Sequence, residues 1–189
     1  MICVIYAHPY PSHSRANQTL LSMLPDGPEI EVRSLYDLYP DFDIDVRAEQ
    51  AALSAADVIV WMHPVYWYSV PGLLKHWFDQ VLVHGWAYGE GGNTLRGKRC
   101  LWVATTGGDE AAYSAAGMHE QAFANFIPPL QETARFCGMQ WETPVILHGA
   151  HLIEDTALAA HGGQLAQRLR GWMRPAPPAQ PANAQGAAP

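Results

Sequence analysis

The chain has 189 residues, 49% of them hydrophobic and 15% charged, with a formal net charge of -7. That length suits one domain with a sizeable core, and a charged fraction this low excludes a wholly disordered chain. No basic run or stripe offsets the acidic balance, which argues against nucleic acid as a partner, although one bound nucleotide needs only local donors.

Ile2–Ala7 is continuously apolar, as in a strand buried on both faces. Ser14 to about Leu24 reads as the first helix, with Leu20, Leu21 and Leu24 inward, ended by Pro25-Asp26-Gly27-Pro28. Glu29–Leu35 alternates and suits a strand nearer the sheet edge. A loop over Tyr36–Asp45 and a second helix over Val46–Ala56 follow, then a buried strand over Asp57–Met62.

His63–Val70 leaves that strand as a loop, and Pro71 favours a helix start. Leu73, Leu74, Trp77, Phe78, Val81 and Leu82 then share one helical face. After a Gly-rich excursion at His84–Lys98, Arg99–Thr106 is the fourth strand. Gly117–Cys137 is expected to be mostly helical with a kink or break at Pro128-Pro129. Thr143–His148 is expected as the fifth strand and Glu154–Met173 as the last helix. From Pro175 the chain carries neither charge nor large apolar groups, so residues 175–189 are expected as a disordered Pro/Ala-rich tail after a domain spanning 1–174.

Strands alternating with helices imply a parallel sheet with helices on both faces. Five such units predict an α/β, flavodoxin-like doubly wound sheet of order 2-1-3-4-5, whose ligands bind outside the carboxyl ends of the strands. Two loops at that end organise the reading. The first runs from Ala7 to a helix start at Ser14–Asn17, a natural anion site; the second is Thr105–Gly108, suited to a flat polar ring.

Cys3, Cys100 and Cys137 form no C-x-x-C pair and read as reduced thiols of a cytoplasmic protein. Met1 runs directly into a strand, so no signal peptide is expected. Val58–Leu74 lacks acidic and basic residues but is short for a membrane span, and His63, Pro64, Ser69, Pro71 and Gly72 interrupt it. Asp41, Asp43 and Asp45 have no glycine or distal Glu to complete a calcium loop, and His148 with His151 suits a solvated loop better than a metal site. No metal is expected.

Ala7-His8-Pro9, Ser14–Asn17, Pro64–Tyr68, Gly85–Tyr88, Leu95-x-Gly97-Lys98 and Thr105–Gly108 occur in this order. On these motifs residues 1–173 resemble the flavodoxin-like NAD(P)H:quinone oxidoreductase family, which binds FMN. Leu38–Asp45 and His84–Gly89 carry a closer likeness to ancillary proteins of glutathione-gated potassium efflux systems.

The resemblance implies that His8, Ser14, Arg15, Ala16 and Asn17 hold the FMN phosphate and ribityl chain. It places Val65, Tyr66, Trp67 and Tyr68 along the flavin, through backbone N–H groups and an aromatic wall from Trp67. Thr105, Thr106, Gly107 and Gly108 would meet its pyrimidine end, where adjacent glycines let backbone N–H groups approach. Plainer accounts exist: a loop histidine on a carbonyl for His8, an exposed helix-face arginine for Arg15, core packing for one of the three aromatics. Tyr113 and His119 follow at the spacing of the Tyr and His that hydrogen-bond flavin or quinone in the family, and so are implied as catalytic. The alternative for His119 is that it merely starts a helix.

The resemblance thus implies two-electron, ping-pong hydride transfer from NADH or NADPH through flavin N5 to a quinone, in a homodimer. The alternative is a regulatory subunit, peripheral on the cytosolic face of the membrane, that activates a glutathione-gated potassium/proton antiporter. A plain flavodoxin carrier fits less well, because AHPYPSHSRAN lacks the Ser/Thr-x-Thr-Gly phosphate loop.

Overall fold

The computed structural model describes residues 1–173; the expected tail lies outside the described residues. The apolar runs form β1 (Ile2–Tyr6), β3 (Val58–Pro64) and β4 (Arg99–Thr105), buried except for Arg99, and the alternating run forms the half-buried β2 (Ile30–Ser34). All pair in parallel in the order β2-β1-β3-β4, with β5 (Gln140–Trp141) and β6 (Val145–Leu147) both beside β4. This is the flavodoxin-like order expected from the sequence. The register sets Tyr6 beside Met62 and Pro64 beside Thr105, so the loops after β1, β3 and β4 open at one edge.

Alternate strand residues feed two cores. Cys3, Ile5, Trp61 and Trp102 pack under α2 (Leu35–Leu38), α3 (Val46–Ala55), α4 (Gly72–Val81) and α5 (Pro128–Phe136). Val4, Tyr6, Val60, Met62 and Val103 pack under α1 (Arg15–Ser22) and α6 (Asp155–Arg170). All three cysteines are free and buried, and burial pushes the Cys3 and Cys137 thiols up to about 12 and about 11.

Three expectations are corrected. The loop expected at Tyr36–Asp45 is entered through the single helical turn α2, which begins on the buried Leu35. Gly117–Cys137 is helical only as a 3-10 turn at Phe123–Phe126 and as α5. Pro128 and Pro129 start α5 rather than break a helix, because the first helical turn does not need the N–H that proline lacks. Upstream the chain folds back too tightly for a helix: a Cβ at Gly117 would lie 2.2 Å from the Ala111 carbonyl oxygen. The fifth strand expected at Thr143–His148 is β6, and an extra two-residue strand, β5, precedes it, with Pro144, which has no ladder N–H, between them.

One carboxylate lies wholly inside the first core. The Glu49 carboxylate in α3 is inaccessible to solvent and accepts hydrogen bonds from Arg33 Nε (2.7 Å) and Nη2 (2.6 Å), Tyr39 Oη (2.6 Å) and Trp77 Nε1 (2.9 Å). It ties β2, α2, α3 and α4 together around one buried charge.

Candidate functional site

A cavity of about 410 Å3 opens at the carboxyl edge of β1, β3 and β4. Ser14 caps α1: its Oγ accepts from the Asn17 backbone N–H (3.3 Å) and Nδ2 (2.9 Å). Both acceptor positions are thus taken, which leaves the Ser14 hydroxyl proton to donate into the cavity. Asn17, only 2% exposed, sends its other amide hydrogen to Thr105 Oγ1 (3.0 Å), while Asn17 Oδ1 is buried without a partner. A buried acceptor left open beside a cavity is a place for a ligand donor.

His8, just past β1, is 8% exposed, and its Nδ1 accepts from the Tyr10 backbone N–H (3.1 Å). Burial lowers its pKa, so the ring is neutral with its proton on Nε2, again a donor. The opening turn of α1 adds N–H groups that have no intrahelical acceptor.

The loop after β3 makes a tight turn. Tyr66 and Ser69 exchange both backbone hydrogen bonds (3.1 and 2.9 Å), and between them Trp67 and Tyr68 have φ of 48° and 62°. Two successive bulky residues in the left-handed region store about 1–2 kcal/mol each, strain that clusters where a loop must present particular groups. The Val65 N–H bonds the Thr105 carbonyl (2.8 Å), so Val65 and Tyr66 have no free N–H for a ligand, whereas those of Trp67 and Tyr68 remain available. Trp67, expected as a wall, stands 93% exposed and does not line the cavity.

Opposite, the Thr106 N–H is held by Leu147 (3.0 Å), while the N–H groups of Gly107 and Gly108 take no acceptor among the described residues. Thr106 Oγ1 donates to the Gly108 carbonyl (2.7 Å) and receives His148 Nδ1–H (2.9 Å), which pins the two-glycine turn to the end of β6.

Beyond Gly108 lies an aromatic cluster. The rings of Tyr113 and His119 are 4.4 Å apart, and Tyr68 Oη meets His119 Nδ1 at 3.3 Å. A Cβ on Gly108 would lie 3.2 Å from His119 Nε2, so that nitrogen faces the glycine turn. Burial raises the Tyr113 phenol, with Thr106 opposing and Tyr68 reinforcing the shift, so Tyr113 is a neutral donor.

Of the residues named from sequence, His8, Ser14, Arg15, Ala16, Asn17, Val65, Tyr66, Thr105, Thr106 and Gly107 line the cavity, while Trp67, Tyr68, Gly108, Tyr113 and His119 do not. Arg15 is turned to α6, donating to the Asp155 carboxylate and the Ile153 carbonyl. The sequence reading missed Tyr10, His13, Pro64, Ala150 and His151 as lining residues. His151 was legible in principle, since it follows a strand that ends at the same edge.

Below the site, His63 is fully buried, donating from Nδ1 to the Pro64 carbonyl (2.9 Å) and accepting from Trp102 Nε1 (2.8 Å). Burial holds it at about 4, against 6.5 for the free group. Below pH 6.5 the unfolded chain binds the proton that the fold refuses, so stability falls as pH drops from 6.5 to 4. The loss is on the order of 3 kcal/mol. Urea melts across this range check it; His63→Gln is expected to flatten that slope.

The family defined by the flavodoxin-like fold matches residues 1–169. The chain belongs to that flavodoxin-like family. Among its relatives is the glutathione-regulated potassium-efflux system ancillary protein KefF of Salmonella typhi, 54% identical over 172 residues, which are 91% of this chain and 97% of KefF. Two solved structures of the same fold are similar throughout. The general stress protein 14 of Treponema denticola, in complex with FMN, is 31% identical with a TM-score of 0.79, covering 90% of this chain and 96% of that one. An NADPH-quinone reductase from P. pentosaceus is 26% identical with a TM-score of 0.78, covering 88% and 97%. No helix among the described residues is long and apolar enough to cross a membrane.

Proposed function

We propose that this flavodoxin-like chain binds FMN and acts as an NAD(P)H:quinone oxidoreductase. The observation that carries the reading is the donor set on one cavity: His8 Nε2, the Ser14 hydroxyl, the α1 start and the Gly107 N–H, beside the open Asn17 Oδ1. The first three suit a phosphate, and Asn17 Oδ1 suits a sugar-alcohol hydroxyl; the residues present therefore fit FMN. The structures of similar proteins in complex with FMN and named as quinone reductase support this reading.

When bound, FMN supplies two-electron transfer between a nicotinamide donor and a quinone. The protein orients and stabilises. Gly107 and Gly108 N–H groups would stabilise negative charge at the pyrimidine end, and Trp67 and Tyr68 offer N–H groups from the strained turn. His119, held through Nδ1 by Tyr68, and Tyr113 are assigned to protonate the quinone oxygen. Arg15 serves by fixing the loop before α6 to α1.

Purified protein is expected to show flavin absorption that bleaches with NADH or NADPH under anaerobic conditions. Initial rates with menadione are expected to be ping-pong, and intersecting lines would sink that mechanism. A flavin that binds but resists both donors would favour the second reading, and a protein that ignores added FMN would refute the site.

The identity to KefF favours that second reading, a regulatory subunit on the cytosolic face of a membrane potassium/proton antiporter; the two roles are compatible. A homodimer belongs to the same proposal. Restored potassium efflux in cells lacking their ancillary protein tests the regulatory role, and efflux that stays at the deficient level rejects it.

A further inference from the structure

A second cleft, of about 660 Å3, lies at the other edge of the sheet, where β3, β4 and β5 begin. The register sets Val58 beside Arg99 and Arg99 beside Gln140, so this cleft and the cavity at the carboxyl edge occupy opposite ends of the strands. The chain has a formal net charge of -7, yet the lining here carries three cations, Arg96, Lys98 and Arg99, against one carboxylate, Asp57. That carboxylate is held by the Met1 ammonium at 2.6 Å. Arg99 pairs with Glu142, but Glu142 is shared with Arg168 (3.5 Å), so two guanidiniums face one anion.

The cleft is rich in donors and poor in acceptors. Arg96 is exposed, and none of its five N–H groups has a partner among the described residues. Arg99 donates from one Nη to Glu142. Lys98 Nζ donates to the Ser54 carbonyl (2.9 Å) and the Ala56 carbonyl, which caps the end of α3 and leaves a third hydrogen. Neutral carbonyls do not cancel its charge: burial lowers the Lys98 pKa, and Asp57 opposes this only in part. The Thr94 hydroxyl and the Gln140 side-chain amide, also on the lining, take no partner among the described residues.

Two guanidiniums are held in place beforehand. Arg99 and Arg168 lie 5.4 and 4.9 Å from the centroid of the Trp172 ring, within cation–π range, and the Thr143 carbonyl fixes Arg168 Nη1 (2.6 Å). Side chains ordered in advance lower the entropy cost of binding. A concave surface lined by one sign of charge focuses its field on ions of the other sign.

We propose that this cleft binds a small anion bearing two or more neighbouring phosphate or carboxylate groups, held by Arg96, Lys98 and Arg99 with Thr94 and Gln140 as neutral donors. Guanidinium matches either group in bidentate geometry, and three separate cations suit a multiply charged ligand better than a single anionic group. The proposal is independent of FMN, since the two sites share no lining residue.

The test is calorimetric titration of pyrophosphate and of citrate into the full chain, with FMN in excess so that the other cavity is filled. At least one of the two is expected to bind, and the tighter names the source, phosphate or polycarboxylate. Arg96→Ala, which removes a guanidinium without a partner in the fold, is expected to weaken binding about tenfold, the scale of one hydrogen-bonded charge. Arg96→Glu is expected to abolish binding. Arg47→Ala, an exposed arginine off this lining, is expected to change nothing. Added salt is expected to weaken binding, because these charges lie near solvent. Failure of both anions to bind overturns the proposal, as does binding that Arg96→Glu leaves intact. Binding to vesicles of anionic lipid in place of either small anion overturns it in favour of a membrane surface.

Discussion

Glu49→Ala is expected to destabilise the fold by about 3–5 kcal/mol, enough to remove much of the stability of a domain this size. The substitution strands the Tyr39 hydroxyl and the Trp77 indole N–H and leaves the Arg33 guanidinium, which also donates to Glu49, with Glu31 alone (2.7 Å). In the intact protein burial first, and then Glu49 itself, push Tyr39 up to about 12, so its phenol is a neutral donor to that carboxylate. Glu49→Gln retains the size and one acceptor, and its loss is expected to be smaller. Urea midpoints at pH 7.5 measure both; a loss under 1 kcal/mol for the alanine variant would show that Glu31 alone suffices for Arg33 and that the core tolerates the unpaired Tyr39 and Trp77 donors. Because the network lies under α3 and α4, FMN affinity measured below the unfolding transition is expected to be unchanged.

Tyr113→Phe combined with His119→Ala is expected to lower quinone turnover by about 10²-fold, the size of losing positioned acid catalysis. Neither residue lines the cavity assigned to phosphate and ribityl chain, so FMN affinity is expected to stay within a few-fold of wild type. The split between turnover and affinity is the informative readout. Unchanged turnover removes both residues from the mechanism, whereas lost FMN binding would give them a holding role. Tyr68→Phe removes the hydroxyl 3.3 Å from His119 Nδ1 and is expected to shift the pH profile of turnover rather than its maximum.

The long apolar strands were readable because burial on both faces leaves no polar alternation: Ile2–Tyr6 and the run from Val58 both fold as their hydropathy predicts. α4 was readable from its one apolar face. The loop from Gly117 was not, because glycine and small residues give no periodic signal, and its path follows from backbone packing against Ala111 and Ala112. The extra strand β5 was not readable, because two residues carry no alternation and pair with the start of β4 only once α5 has returned the chain there.

By itself the sequence determined the strand order, the edge at which the loops gather, and most of the residues after β1 and β4 that line the cavity there. Periodicity and turn chemistry are local, and those features follow from them. Tertiary structure alone decided which groups remain available. The Val65 N–H is taken by Thr105, Trp67 is turned outward, and Glu49 is drawn into the core. Arg15 is neutralised by a carboxylate 140 residues away, which leaves three histidines around the cavity. Hydrogen bonds and ion pairs between distant segments carry no spacing that a sequence displays, and they exist only once the sheet has set its loops side by side.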